Sequence, residues 1–96
     1  MLVFNVTFKC KPGMRDEFLE KIRTEGIDAA SRAEEGNLMY AYYLPLDGSD
    51  DLLLIEKYRD ADAVAAHVRQ AHVARLVELK TEYVSDLILE KYETEQ

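Results

Sequence analysis

The chain has one cysteine, two prolines and four glycines in 96 residues, and no tryptophan. A lone cysteine, Cys10, allows no internal disulfide and no cysteine-rich metal centre. Its place at a strand end suits a passive residue better than a nucleophile. No apolar run approaches the roughly 20 residues of a membrane-spanning helix, and no basic-then-apolar leader precedes the first strand. The cytoplasm is therefore the expected compartment. Basic residues are in the minority, 12 against 19 acidic, for a net charge of −7. An acidic surface repels phosphate backbones and anionic headgroups, which argues against nucleic acid and membrane as partners. A phosphate-cradling glycine loop, a G-x-S-x-G elbow and a G-x-G-x-x-G turn after the first strand are all missing, so no cofactor is expected.

What is present is one domain, residues 1–96, with 48% hydrophobic residues, enough for a single modest core. Residues 2–9 are β-branched and aromatic and read as a strand, with Leu2, Phe4, Val6 and Phe8 on one face and Val3, Asn5 and Thr7 on the other. Pro12-Gly13 makes a turn. From Met14 to about Ala33 the apolar residues fall at helical spacing, with Gly26 placed to bend or split the helix and Gly36 to end it. Residues 37–46 and 52–58 read as two strands joined by the turn-rich Asp47-Gly48-Ser49-Asp50-Asp51. Asp60 or Asp62 caps a second helix running to about Tyr83, with room for a bend near Gln70-Ala71. Residues 84–92 form a last strand, followed by a tail expected to fray.

The order β-α-β-β-α-β predicts an α+β fold, the ferredoxin-like arrangement with a four-stranded antiparallel sheet. Two helices cover only one face of such a sheet. Yet the third strand is apolar on both faces through Leu52-Leu53-Leu54-Ile55. A second copy packed sheet to sheet, as a two-fold homodimer, is the simplest cover.

The residues with chemistry concentrate at 56–72. His67 and His72 are the only side chains whose unperturbed pKa lies near neutrality. Either is a candidate base or substrate-orienting group; the alternative is a structural pair hydrogen-bonded between helix and sheet. Five residues apart, they fall about 140° around a straight helix, which is poor spacing for chelation. With no nearby cysteine or third histidine, no metal site is expected. Glu56 follows four apolar residues, so partial burial beside a cationic or donor partner such as His67 is expected. Asn5 interrupts an apolar strand, either as a solvent-side residue or as an amide aimed into a cavity. Tyr42 and Tyr58, with Tyr40 and Tyr43, suit either core packing or the wall of an aromatic pocket.

Three segments resemble the antibiotic biosynthesis monooxygenase (ABM) domain family. They are Lys11-Pro12-Gly13, Glu35-Gly36-Asn37-Leu38-Met39-Tyr40, and Glu56-Lys57-Tyr58 followed by Ala63, His67 and His72. The likeness runs from about Leu2 to Tyr92. It implies a dimeric α/β barrel of ferredoxin-like topology with a pocket between helices and sheet in each subunit. Asn5 matches an Asn on the first strand of several members, Tyr58 stands where many have Trp, and His67 and His72 match the family's paired histidines. Haem-degrading members carry a ligand His later in the second helix, where this chain has Ala74 to Val77. The resemblance therefore implies no haem chemistry. It points to a cofactor-independent monooxygenase of a quinol-like or polycyclic aromatic small molecule. His67 or His72 would be its base, and Asn5 and a tyrosine would position the substrate. The alternatives are an isomerase of a small carbonyl compound, as in autoinducer-2 catabolism, with Arg69, Arg75 or Lys80 holding a phosphate, and a non-catalytic small-molecule-binding dimer.

Overall fold

A computed structural model describes residues 1–95. Eight elements follow in chain order: β1 (Leu2–Cys10), α1 (Arg15–Thr24), α2 (Ile27–Arg32), β2 (Asn37–Tyr43), β3 (Asp51–Tyr58), α3 (Ala61–Val68), α4 (Ala71–Tyr83) and β4 (Val84–Glu93). The four strands form one antiparallel sheet in the order β2-β3-β1-β4, the ferredoxin-like arrangement.

Each helix expected from the sequence is split in two, and each break has a local cause. Gly26 takes a positive φ of 74°, ending α1 and letting α2 leave in a new direction. At the second break Gln70 is extended (ψ 144°), so α4 starts afresh instead of continuing α3. Asp60 caps α3, its Oδ1 accepting the Ala63 N–H at 2.9 Å. Strand β2 stops at Tyr43, short of the expected residue 46, because Pro45 has no N–H to give a ladder. Leu46 beyond it is fully exposed.

Strand alternation assigns the faces. Phe4, Val6 and Phe8 of β1, Leu52, Leu54 and Glu56 of β3, and Leu87 of β4 point toward the helices. Phe18 and Ile22, one turn apart on α1, fill the centre and are fully buried. Phe18 packs edge-on to Phe8 at 5.4 Å and stacks on Tyr83 at 5.7 Å, while the Tyr83 hydroxyl donates to Glu17. These contacts close α1 and α4 over one end of the sheet. Cys10 is buried there, and burial pushes its thiol up to about 11, so it stays protonated as expected of a passive residue. Among the described residues, no helix is long and apolar enough to cross a membrane.

Among the described residues no helix lies over the other face, which carries Val3, Asn5, Leu53, Ile55 and Ile88. At the sheet's β2 end, α3 instead approaches very closely. A Cβ added at Gly36 would lie 2.2 Å from Ala63 Cβ and 3.2 Å from Ala63 Cα. The Gly36 carbonyl also accepts the Arg59 N–H at 2.9 Å, pinning the entry of β2 to the exit of β3. Gly36→Ala is therefore expected to cost about 1–3 kcal/mol, since α3 must move bodily. Urea denaturation measures this; an unchanged midpoint would show that α3 gives way freely.

Candidate active site

Glu34 stands in the short turn after α2, half-buried, where its backbone N–H donates to the Ser31 carbonyl at 3.2 Å. His67 lies in the last turn of α3 and His72 at the second position of α4. The break between those helices decides the geometry. On a continuous helix the two rings would diverge. Here both turn onto one carboxylate.

His67 Nδ1 lies 2.8 and 2.9 Å from the two Glu34 oxygens, and His72 Nε2 lies 2.6 Å from Oε2. The expectation that the pair diverges by about 140° is thus corrected, because α3 ends at Val68 before the second histidine is reached. A carboxylate only accepts, so each ring nitrogen facing Glu34 donates its N–H. His67 is thereby oriented with Nε2 on the opposite side, 3.5 Å from Glu56 Oε1. Glu56 in turn accepts from the Tyr58 hydroxyl at 2.5 Å. The four members of this line are shielded from water, with side-chain exposures of 13% for Glu34 and Glu56, 10% for His67 and 17% for His72.

Burial raises the Glu56 carboxyl above the usual range, partly offset by the Tyr58 hydrogen bond and by His67. Burial likewise pushes the Tyr40 phenol up to about 12 and, together with the Glu56 charge, raises Tyr58 well beyond the ordinary range. Both phenols keep their protons at neutral pH and are not bases; Tyr58 donates to Glu56, and Tyr40 shares a hydrogen bond with Tyr42. Among the described residues no buried side-chain polar atom lacks a partner, so the polar cluster is fully satisfied in a low-dielectric setting.

The cluster forms a partition between two hollows. On the sheet side is a cavity of about 350 Å³, walled by apolar residues such as Phe4, Leu54, Val64 and Leu76. Tyr40, Glu56, Tyr58 and His67 supply its polar groups, and Lys80 also lines it. On the outer side is a groove of about 640 Å³ reaching Glu34 and His72.

Of the residues singled out from the sequence, His67, His72, Glu56 and Tyr58 come together. Tyr42 stands one phenol behind, its hydroxyl 3.0 Å from that of Tyr40. Asn5 does not join them. It is an odd-numbered residue of β1, paired with Ile55 and Glu90, and so lies on the face away from the helices. The reading of Asn5 as an amide aimed into this cavity is corrected by that alternation. Arg75 is held by Glu25 at 2.6 and 2.9 Å, and of the three cations suggested for a phosphate only Lys80 lines the cavity. Glu34 was not foreseen. The sequence drew attention to Glu35-Gly36, one residue away, but no local pattern separates two adjacent glutamates by their burial.

The antibiotic biosynthesis monooxygenase family model matches residues 1–79. The Bacillus subtilis protein named "Putative monooxygenase YcnE" is 32% identical over 85 residues, covering 88% of this chain and 87% of the relative. A Nitrosomonas europaea structure named for the same family superposes with a TM-score of 0.88 at 22% identity, with both chains fully covered. The structure of PA3566 from Pseudomonas aeruginosa superposes with a TM-score of 0.86 at 24% identity, over 97% of this chain and 92% of that one. These two superpositions bear on the fold alone.

The raised Glu56 carboxyl has a consequence for stability. Its ionisation opposes folding, so the stability it contributes is complete below the ordinary Glu value of about 4.3 and is lost as pH climbs from there through the higher folded value. Glu56→Gln is expected to be more stable than the native chain at neutral pH, with the gap closing toward about pH 4. Urea midpoints across that range test this; a gap independent of pH would show that Glu56 titrates normally.

Proposed function

The chain belongs to the antibiotic biosynthesis monooxygenase family, and from that premise we propose that it oxygenates a quinol-like or polycyclic aromatic small molecule without a cofactor. The observation that carries this reading is the apolar cavity of about 350 Å³ with His67, Glu56, Tyr58 and Tyr40 as its polar groups. A flat aromatic fits such walls, and its phenolic oxygen meets the polar groups.

His67 is the base. Glu34 holds its Nδ1–H, which orients the ring and stabilises the imidazolium formed when Nε2 takes a proton. Tyr58 donates its O–H to Glu56 and holds that carboxylate in place. Tyr40, kept protonated by burial and paired with Tyr42, is the phenol that donates toward the substrate oxygen as it gains negative charge. The substrate anion then passes electrons to O2 in a water-poor cavity. In the net reaction the substrate gains one oxygen atom and loses two hydrogens. An anthrone methylene becomes a carbonyl, whereas a quinol gains a ring hydroxyl as its two hydroxyls are oxidised to the quinone. The other oxygen atom leaves as water, and both reducing equivalents come from the substrate. His72 acts through Glu34, as a second donor that keeps the carboxylate aimed at His67.

The same base serves isomerisation of a small phosphorylated carbonyl compound, and Lys80 lining the cavity favours keeping that as the second reading. Dependence on O2 separates the two. In this proposal the domain, residues 1–96, works as a homodimer packed through the uncovered sheet face. Tyr43, Ile88 and Tyr92 there are each nearly half exposed.

Oxygen uptake above autoxidation is expected with a panel of naphthoquinols and anthrones, and His67→Ala is expected to lower it by about 10²–10⁴-fold. Retention of full uptake by that variant would remove His67 as the base. Ile55→Glu, at the centre of the uncovered face, is expected to halve the molar mass measured by light scattering. A native chain that is already monomeric would overturn the dimer.

A further inference from the structure

Glu34, His67 and His72 have a property beyond the base chemistry. Their donor atoms, one carboxylate oxygen and two imidazole nitrogens, all lie within 4.8 Å of one another. The geometry points to a binding site for a borderline divalent transition-metal cation, of which Zn2+ is the type, held by Glu34, His67 Nδ1 and His72 Nε2.

Two imidazoles and one carboxylate are a donor set suited to Zn2+, Co2+ or Ni2+ and poorly suited to Mg2+ or Ca2+. Three protein ligands leave a coordination position open. The present contacts of 2.6 to 2.9 Å are those of N–H donors on a carboxylate. Ligands around a cation at about 2.0–2.1 Å sit slightly farther apart, which a small rotation of the Glu34 carboxylate supplies. A metal takes the lone pair of the nitrogen that faces Glu34, so each ring then carries its N–H on the other nitrogen.

Two further features fit. The outer groove of about 640 Å³ reaches Glu34 and His72 directly; Arg59 on its wall is paired to Glu35 at 3.5 Å, and Asp62 adds a further carboxylate that favours an entering cation. Behind His67, Glu56 stands 3.5 Å from Nε2 and is itself hydrogen-bonded by Tyr58. That is the carboxylate–histidine–metal line in which an outer carboxylate orients the ligating ring. Occupation places the remaining His67 proton on Nε2, facing the cavity, and so removes the free base from the reaction proposed above. The metal acts there as an inhibitor, not as a participant.

The test is calorimetric titration of the chelator-stripped chain with ZnCl2, repeated on Glu34→Gln and His72→Gln after circular dichroism has confirmed their folds. One ion per chain is expected. Loss of a ligand is expected to weaken binding at least as much as outer-shell changes do, by roughly 10–100-fold. Asp62→Asn, which removes only a groove charge, is expected to stay within a few-fold of the native affinity. CoCl2 is expected to give the visible absorption of a low-coordinate nitrogen–oxygen site that both ligand variants lose, and MgCl2 is expected to give no heat. Unchanged Zn2+ affinity in both ligand variants, a stoichiometry other than one, or equal binding of Mg2+ would overturn the site. None of these readouts uses turnover, so failure of the oxygen-uptake assay and failure of this titration are separate results.

Discussion

One half-buried carboxylate organises this molecule. Glu34 receives hydrogen bonds from two imidazoles that belong to different helices, and it belongs to neither. A half-buried carboxylate without donors is costly, and so are two shielded imidazoles without an acceptor. Each group therefore requires the others, and together they tie the turn after α2 to α3 and α4. Removing Glu34 leaves two rings uncompensated at once, so its loss reaches well beyond a single hydrogen bond.

The backbone meets this constraint in two places. The two-residue break at Arg69–Gln70 puts a corner between α3 and α4, and the corner is what brings His72 round to the same oxygen as His67. Gly36 lets α3 approach the sheet so closely that no side chain fits between, which places His67 against Tyr58 and Tyr40 at ring separations of 5.2 and 6.1 Å. The helix break and the missing Cβ thus serve one arrangement: a polar partition between an apolar cavity and an open groove. That position is useful for moving a proton or holding a cation, since each side of the partition meets a different medium. The desolvation that raises Glu56 and the buried phenols is the electrostatic expression of the same shielding.

Much of the scaffold was legible because period-two and period-3.6 patterns are local. The alternation of Leu2, Phe4, Val6 and Phe8 set the face of β1, and the spacing of Phe18 and Ile22 set the buried stripe of α1. Gly26 and Asp60 announced a helix end and a helix start through their own backbone chemistry. The same alternation, carried through, places Asn5 opposite the cavity, since Phe4 and Val6 on either side of it line that cavity. Reading Asn5 as a cavity residue followed from its being a polar interruption of an apolar strand, and not from the strand period.

By itself, then, the sequence determined the α+β order of elements, the faces of the strands, and the segment in which Glu56, Tyr58, His67 and His72 lie. Those follow from short-range sterics and hydrophobic periodicity, which act between residues a few positions apart. Only the tertiary structure decided that Glu34, 33 and 38 positions from the two histidines, is their shared partner. It also decided that Asn5 stands apart. A hydrogen bond across that separation depends on how helices pack on a sheet, and on where a helix breaks. Neither leaves a repeating mark in the chain.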